Sequence, residues 1–184
     1  MRRVIFLLLA ALLTFCAYAQ GGLASTNDGP RLRLEIYGKG TVVIRLFTIW
    51  ATALGALSGK LAKTGFYDGL RFHRADRQPR PYLVQVGDPQ SRLGNLDAPD
   101  MGTKGSGVKI PYEDSGLPNI VGAVGLARLG QDRDTGDSQF YILLGAQRFL
   151  DGNYTVFGQI VEGMDVVRKI DKGDRINRAT VVGA

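Results

Sequence analysis

Arg31-Leu32-Arg33-Leu34-Glu35-Ile36-Tyr37-Gly38-Lys39-Gly40-Thr41-Val42-Val43-Ile44-Arg45-Leu46-Phe47 is the stretch that decides the fold. In its first half Leu32, Leu34 and Ile36 alternate with Arg33 and Glu35, the two-residue period of a half-buried strand. In its second half Val42, Ile44 and Leu46 repeat that period. Gly38-Lys39-Gly40 between them reads as a hairpin connection. The fold therefore opens on an antiparallel β-hairpin.

Upstream, the chain is of a different kind. Arg2 and Arg3 precede a largely apolar run, Val4 to Phe15, and Ala17-Tyr18-Ala19 puts small residues where a signal peptidase reads. Residues 1–19 are expected to be a secretory signal peptide. A spanning anchor is the competing reading, but Val4 to Ala19 falls short of the ~20 residues that a transmembrane helix needs. Lipid attachment at Cys16 is disfavoured by Phe15, since such sites want a small residue there. Residues 20–30 are polar and turn-rich and read as a flexible lead-in. Residues 31–184 then form a single folded domain, a one-domain length.

Cleavage removes the only cysteine, leaving neither an internal disulfide nor a thiol nucleophile. Without Arg2 and Arg3 the 23 basic residues become 21 against 17 acidic ones, a net charge of +4. These charges are scattered, with no basic run interleaved with aromatics, so no nucleic-acid partner is expected. Nor is a membrane partner after cleavage. The expected location is outside the cytoplasm, in the periplasm or secreted.

Downstream of the hairpin, Trp50, Ala53, Leu54, Leu57 and Leu61 recur at helical spacing, with Gly65 as a plausible C-terminal cap. Trp50 at this spacing reads as core. Short strands are expected at 70–74, 82–86, 121–127, 140–144, 155–161 and 179–182, with a second short helix at 166–170. Residues 87–119 are rich in Gly, Pro, Asp and Ser and read as long loops, which in a compact domain are usually functional or disordered. Many short strands, 25 glycines and two helices suggest a closed or nearly closed barrel.

The chemistry is narrowed by what is missing. His73 is the one histidine, so a metal site on His or Cys ligands is not expected. Neither a nucleophile elbow nor a dinucleotide fingerprint occurs in a suitable setting. Gly102-Thr103-Lys104-Gly105-Ser106-Gly107 looks phosphate-like but lacks the Gly-Lys-Ser/Thr ending and a following helix, and reads as a loop.

Four blocks then carry a resemblance. Gly65-Phe66-Tyr67-Asp68-Gly69 with Phe72-His73-Arg74 is followed by Gln85-Val86-Gly87-Asp88-Pro89. Gly136-Asp137-Ser138-Gln139-Phe140-Tyr141-Ile142 and Phe149-Leu150-Asp151-Gly152-Asn153-Tyr154-Thr155-Val156-Phe157-Gly158 complete the set. In this order and spacing, over roughly residues 31–182, they resemble the cyclophilin family of peptidyl-prolyl cis-trans isomerases. The resemblance implies a closed eight-stranded antiparallel barrel capped by two helices, with the active surface on one outer face.

It also implies roles. Arg74 matches the family's catalytic arginine, a permanently charged and rigid donor. Gln85 and Gln139 supply amides that hold the substrate backbone. Tyr82, Leu83, Tyr141, Phe149 and Leu150 match the proline pocket, and Ala127 with Arg128 matches a segment that pairs with substrate. Tyr154 stands where many relatives have histidine and can still donate a hydrogen bond. Strand alternation puts Gln139 and Tyr141 toward the groove and Phe140 inside. His73, beside Arg74, points the other way and reads as structural. The implied partners are proline-containing segments of exported proteins; no cofactor is required, and a monomer is expected.

The pattern departs from the family in places. Ala75 to Pro81 is longer than the usual link, Phe149 replaces a common tryptophan, Arg128 replaces a common asparagine, and the proline-containing entry to the first helix is missing after Phe47. Two rival readings stand beside the enzyme: a non-catalytic module of the same fold that holds proline segments, and an unrelated exported barrel for a small ligand.

Overall fold

A computed structural model describes residues 29–47 and 61–183. The expected signal peptide, most of the lead-in and most of the first helix, including Trp50, lie outside the described residues. Residues 61–63 are helical and lead into the turns that end at Gly69.

The opening hairpin forms as read. Strand β1 (Arg31–Ile36) pairs with β2 (Gly40–Leu46), with Leu32 opposite Ile44 and Leu34 opposite Val42. Gly38 and Gly40 take positive φ, which only glycine adopts without strain. Six more strands follow: β3 (Arg74–Asp76), β4 (Leu83–Val86), β5 (Ala123–Leu126), β6 (Phe140–Leu143), β7 (Val156–Glu162) and β8 (Ile176–Val182). Beyond the helical residues 61–63, an α-helix, α1 (Met164–Val167), packs on β2. It is shorter than the 166–170 span read from sequence and begins two residues earlier.

All eight strands join one antiparallel sheet in the order β3-β4-β6-β5-β7-β2-β1-β8. The expected closed barrel is corrected here: the sheet curls but remains open, with β3 and β8 as its edges. The reason lies in 70–74, expected as a strand. Residues 69–72 bond to 173–176 at Gly69 N–Ile176 O (2.8 Å), Ile176 N–Leu70 O (2.8 Å) and Phe72 N–Asp174 O (2.8 Å), yet form only an isolated bridge, Arg71 with Arg175. The named strand starts at Arg74 and is three residues long. A bridged seam therefore stands where a ladder was expected. Register shifts on β2 and β5 against β7, and on β1 against β8, give the sheet its local bends.

The concave side holds the main core. Leu32, Leu34, Val42, Ile44, Phe72, Phe140, Ile142 and Phe157 are all buried in it. Phe140 sits edge-on to Tyr67 (centroids 5.6 Å apart) and to Phe157 (6.2 Å), the arrangement aromatic rings favour. A second cluster, Leu83, Ala123, Tyr141, Leu143, Leu150 and Val156, lies apart from the first. It takes the alternate residues of β4 and β6, and so occupies the other face of the sheet.

The longer link after Arg74 is absorbed at the surface. β3 and β4 keep their register, Arg74 opposite Gln85 and Asp76 opposite Leu83, and Tyr82 N–H closes the loop on Asp76 O at 3.0 Å. Arg77, inside the link, donates to the carbonyls of Arg168 and Ile170 and pairs with Asp171 at 3.4 Å. The link is thus pinned to the segment after α1 and stays off the groove.

Phe140→Ala removes a ring from a close-packed site that touches two others. It is expected to lower stability by about 3–5 kcal/mol, read as a shift of the urea midpoint. A loss below about 1 kcal/mol contradicts the core placement.

Candidate active site

The second cluster opens into a groove on the convex face. Arg74, Tyr82, Leu83, Gln85, Ala127, Arg128, Tyr141, Leu150 and Tyr154 line one cavity of about 150 Å³. Nine of the eleven residues singled out from sequence therefore meet at one place, drawn from β3, β4, β6 and the segments after β5 and before β7. Gln139 lies just behind Gln85. Phe149 stands outside the lining: the residue is 68% exposed and its ring rests against Tyr82 with centroids 6.3 Å apart.

The floor is apolar and rigid. Leu83, Leu150 and Tyr141 are buried. The Tyr141 ring lies over Gly125 on the neighbouring strand, where a Cβ would come within 2.2 Å of it, so glycine is required there. Tyr141 donates its hydroxyl to Asn119 Oδ1 at 2.7 Å. Asn119 is anchored in turn on Asp151 Oδ1 through its backbone N–H (2.7 Å) and side-chain amide (3.2 Å). Those bonds, the backbone one first, hold the Asp151 carboxyl below its ordinary pKa. Burial pushes the Tyr141 phenol far above its ordinary pKa, so it stays a donor.

The cationic side is built by β3 and β4. Arg74 Cζ sits 5.5 Å from the centroid of the Tyr82 ring. The guanidinium also pairs with Asp76, with Nε at 2.7 Å and Nη2 at 2.5 Å from Oδ2. Both residues are on the same strand face, two positions apart, so alternation alone could have flagged Asp76. Arg128 forms the opposite rim, its guanidinium 4.5 Å from the Tyr154 ring centroid.

The two glutamines share one bond, Gln85 Nε2 donating to Gln139 Oε1 at 2.9 Å. Gln139 Nε2 donates to the carbonyls of Gly102 (2.8 Å) and Lys104 (2.7 Å). Two carbonyl acceptors on one atom fix which end of the amide is nitrogen. Gln139 thus has no donor left for a ligand, while Gln85 keeps one N–H and its carbonyl. Asn119, Asp137 and Gly125 were not singled out as site residues, and nothing in their local sequence marks Asn119 as the partner of a tyrosine 22 positions away.

Among the described residues no group of three or more His, Cys, Asp or Glu side chains could hold a metal ion. No helix among them is long and apolar enough to cross a membrane.

Against known proteins, the family model described as cyclophilin type peptidyl-prolyl cis-trans isomerase/CLD matches residues 31–182. The chain belongs to the cyclophilin-type peptidyl-prolyl cis-trans isomerases. A peptidyl-prolyl cis-trans isomerase of Synechococcus elongatus is 38% identical over 146 residues, covering 78% of this chain and 91% of the relative. Peptidyl-prolyl cis-trans isomerase B of Bacillus subtilis is 33% identical over 159 residues, covering 85% and 94%. The fold is matched by a Cryptosporidium parvum cyclophilin crystallised in the presence of the dipeptide Ala-Pro. Its TM-score is 0.69 at 20% identity, over 84% of this chain and 99% of that one.

His73 makes a separate point about this cyclophilin. It is buried, 8% exposed, and neither ring nitrogen has a hydrogen-bond partner. Burial lowers its pKa; Asp88 opposes that, while Arg74 and Lys172 add to it. A lowered histidine pKa means the unfolded chain binds the proton more readily than the native one. Stability is therefore full above the ordinary value of 6.5 and falls as the pH drops from there toward the depressed value. Urea midpoints between pH 7.5 and 5 should fall for the wild type and fall less for His73→Gln. Parallel curves for the two proteins count against it.

Proposed function

We propose that the chain isomerises X-Pro peptide bonds in exported proteins, with Arg74 stabilising the twisted amide. The observation that carries this is one cavity that joins a guanidinium, Arg74, to an apolar seat made by Leu83, Tyr141 and Leu150.

The chemistry needs no nucleophile. The amide has partial double-bond character and a barrier of ~18–20 kcal/mol. X-Pro bonds place cis and trans within ~1 kcal/mol, yet exchange over tens of seconds or more. Twisting the bond breaks resonance and returns a lone pair to the proline nitrogen. A donor aimed at that nitrogen binds the twisted state better than the planar one, which is the condition for catalysis. The apolar seat holds the ring, and the free N–H and carbonyl of Gln85 suit the substrate backbone.

One observation favours a second reading, a module that holds proline segments without turnover. Asp76 at 2.5 Å offsets the charge on Arg74. A protease-coupled assay on a short X-Pro peptide separates the two. The mature chain should turn the peptide over with no added metal, and a chelator should not change the rate. Arg74→Ala should cut turnover by roughly 100–1000-fold, the usual worth of about 2.7–4 kcal/mol for a transition-state donor. Arg74 is exposed, so the fold should survive. A folded Arg74→Ala protein with near-normal turnover rejects the assignment, and a wild type without turnover leaves the binding module.

Export rests on residues 1–19. N-terminal sequencing of the protein made in a host that secretes it should start at Gln20; a retained Met1 or Arg2 overturns this.

A further inference from the structure

The glycine-rich segment 102–107 borders the groove and is not accounted for by the proline pocket itself. Five of its six backbone N–H groups are spent within the chain, Thr103 on Asp100 O at 3.1 Å. The N–H groups of Gly102 (2.8 Å) and Lys104 (3.1 Å) point to Oδ2 of Asp88, which is fully buried. Those of Ser106 (2.6 Å) and Gly107 (3.1 Å) point to the two oxygens of Asp137, 7% exposed. Asp137 also accepts from the Ser106 hydroxyl and from Ser138 N–H, each at 2.6 Å, and has Lys109 at 3.9 Å.

A phosphate-binding loop leaves such donors open for an anion. Here two carboxylates of the chain's own fill that place. With its N–H groups held on one side, the segment presents the carbonyls of Gly102 and Lys104 to Gln139 Nε2. Asp137 and Gln139 are two residues apart on the same side of the chain entering β6. Gly105 is threaded between: a Cβ there would lie 2.3 Å from the Asp137 carboxyl carbon.

We propose that Asp137 is a positioning residue for the groove. By gripping Ser106 and Gly107 it closes the end of the loop whose start Asp88 holds at Gly102 and Lys104, and so fixes the amide of Gln139; through the 2.9 Å bond to Gln85 it sets the one glutamine that keeps a free donor. The activity part of this rests on the isomerase reading above; the orientation part does not.

The test follows the side-chain amide signals of Gln139 and Gln85 by ¹⁵N–¹H NMR, alongside X-Pro turnover. In the wild type both Gln139 Nε2 protons are hydrogen-bonded and should exchange slowly with solvent. In Asp137→Ala those signals should move to free-glutamine positions and exchange fast, and kcat/KM should fall about ten- to a hundredfold, the usual cost of a misplaced group. Asp137→Asn keeps one acceptor oxygen but sets an amide against an N–H, and should fall between. Gly105→Ala should copy Asp137→Ala by displacing a carboxylate that is still present. Leu34→Ala, which destabilises the core from β1 and away from the groove, should leave the Gln139 signals in place, and so should Arg74→Ala while losing turnover.

Unchanged Gln139 signals in a folded Asp137→Ala protein overturn the proposal. If that variant does not fold, unchanged signals in Asp137→Asn overturn it equally. A wild type without turnover defeats only the isomerase reading, because the amide signals still decide the orientation.

Discussion

On an extended strand consecutive side chains leave on opposite faces, and on β6 both faces are occupied. Phe140 and Ile142 enter the main core; Tyr141 and Leu143 enter the second cluster. A slip of one residue would put Phe140 in the groove and the Tyr141 hydroxyl among aliphatic side chains. The same strand therefore fixes the core and the site at once. The neighbours are cut to suit: Gly125 makes room for the Tyr141 ring, and Gly87 lets the end of β4 come so close to Ser138 that a Cβ would lie 2.3 Å from its carbonyl oxygen. The Ser138 hydroxyl then returns a bond to Gly87 O at 2.8 Å.

Much of this follows from period and type. The alternation of 31–47 gave the hairpin and its inward faces, and that of 139–141 placed Gln139 and Tyr141 opposite Phe140. These features are local, so a sequence carries them. The open seam does not follow in this way, because Leu70, Phe72 and His73 are buried whether or not their backbone forms a ladder. Apolar pattern reports burial; it cannot tell a strand from a bridged segment. Asn119 and Asp137 were out of reach for another reason. Their partners lie 22 to 32 positions away and are met only through the tertiary fold. Phe149 was placed in the pocket by its resemblance to a residue that lines one, while the chain turns its ring outward against Tyr82.

The loop 102–107 shows how a misleading motif can be resolved by counting donors. Glycine and serine in that order suggest an anion cradle, and the cradle is real, but its anions are Asp88 and Asp137. Buried carboxylates need such donors, since an unpaired buried charge costs several kcal/mol. The loop and the acids thus satisfy each other, and the loop's carbonyls remain for Gln139.

The groups of the groove differ in how firmly they are held. Tyr141 and Gln139 are buried, with their donors fully committed before any ligand arrives. Arg74 is held on an exposed strand edge by Asp76, its one carboxylate partner among the described residues, and an exposed ion pair is worth about 0–1 kcal/mol. In the proposed reaction, walls that do not move suit a compact pyrrolidine ring that must be seated in one orientation. A donor that must follow a nitrogen as it pyramidalises needs the opposite. Asp76 engages Nε and Nη2 and leaves Nη1 open among the described residues, so in the proposed reaction a weak tether lets the guanidinium swing toward the cavity at little cost. In the proposed reaction the pair keeps the guanidinium beside Tyr82 when the groove is empty, without competing strongly once a proline nitrogen develops its lone pair.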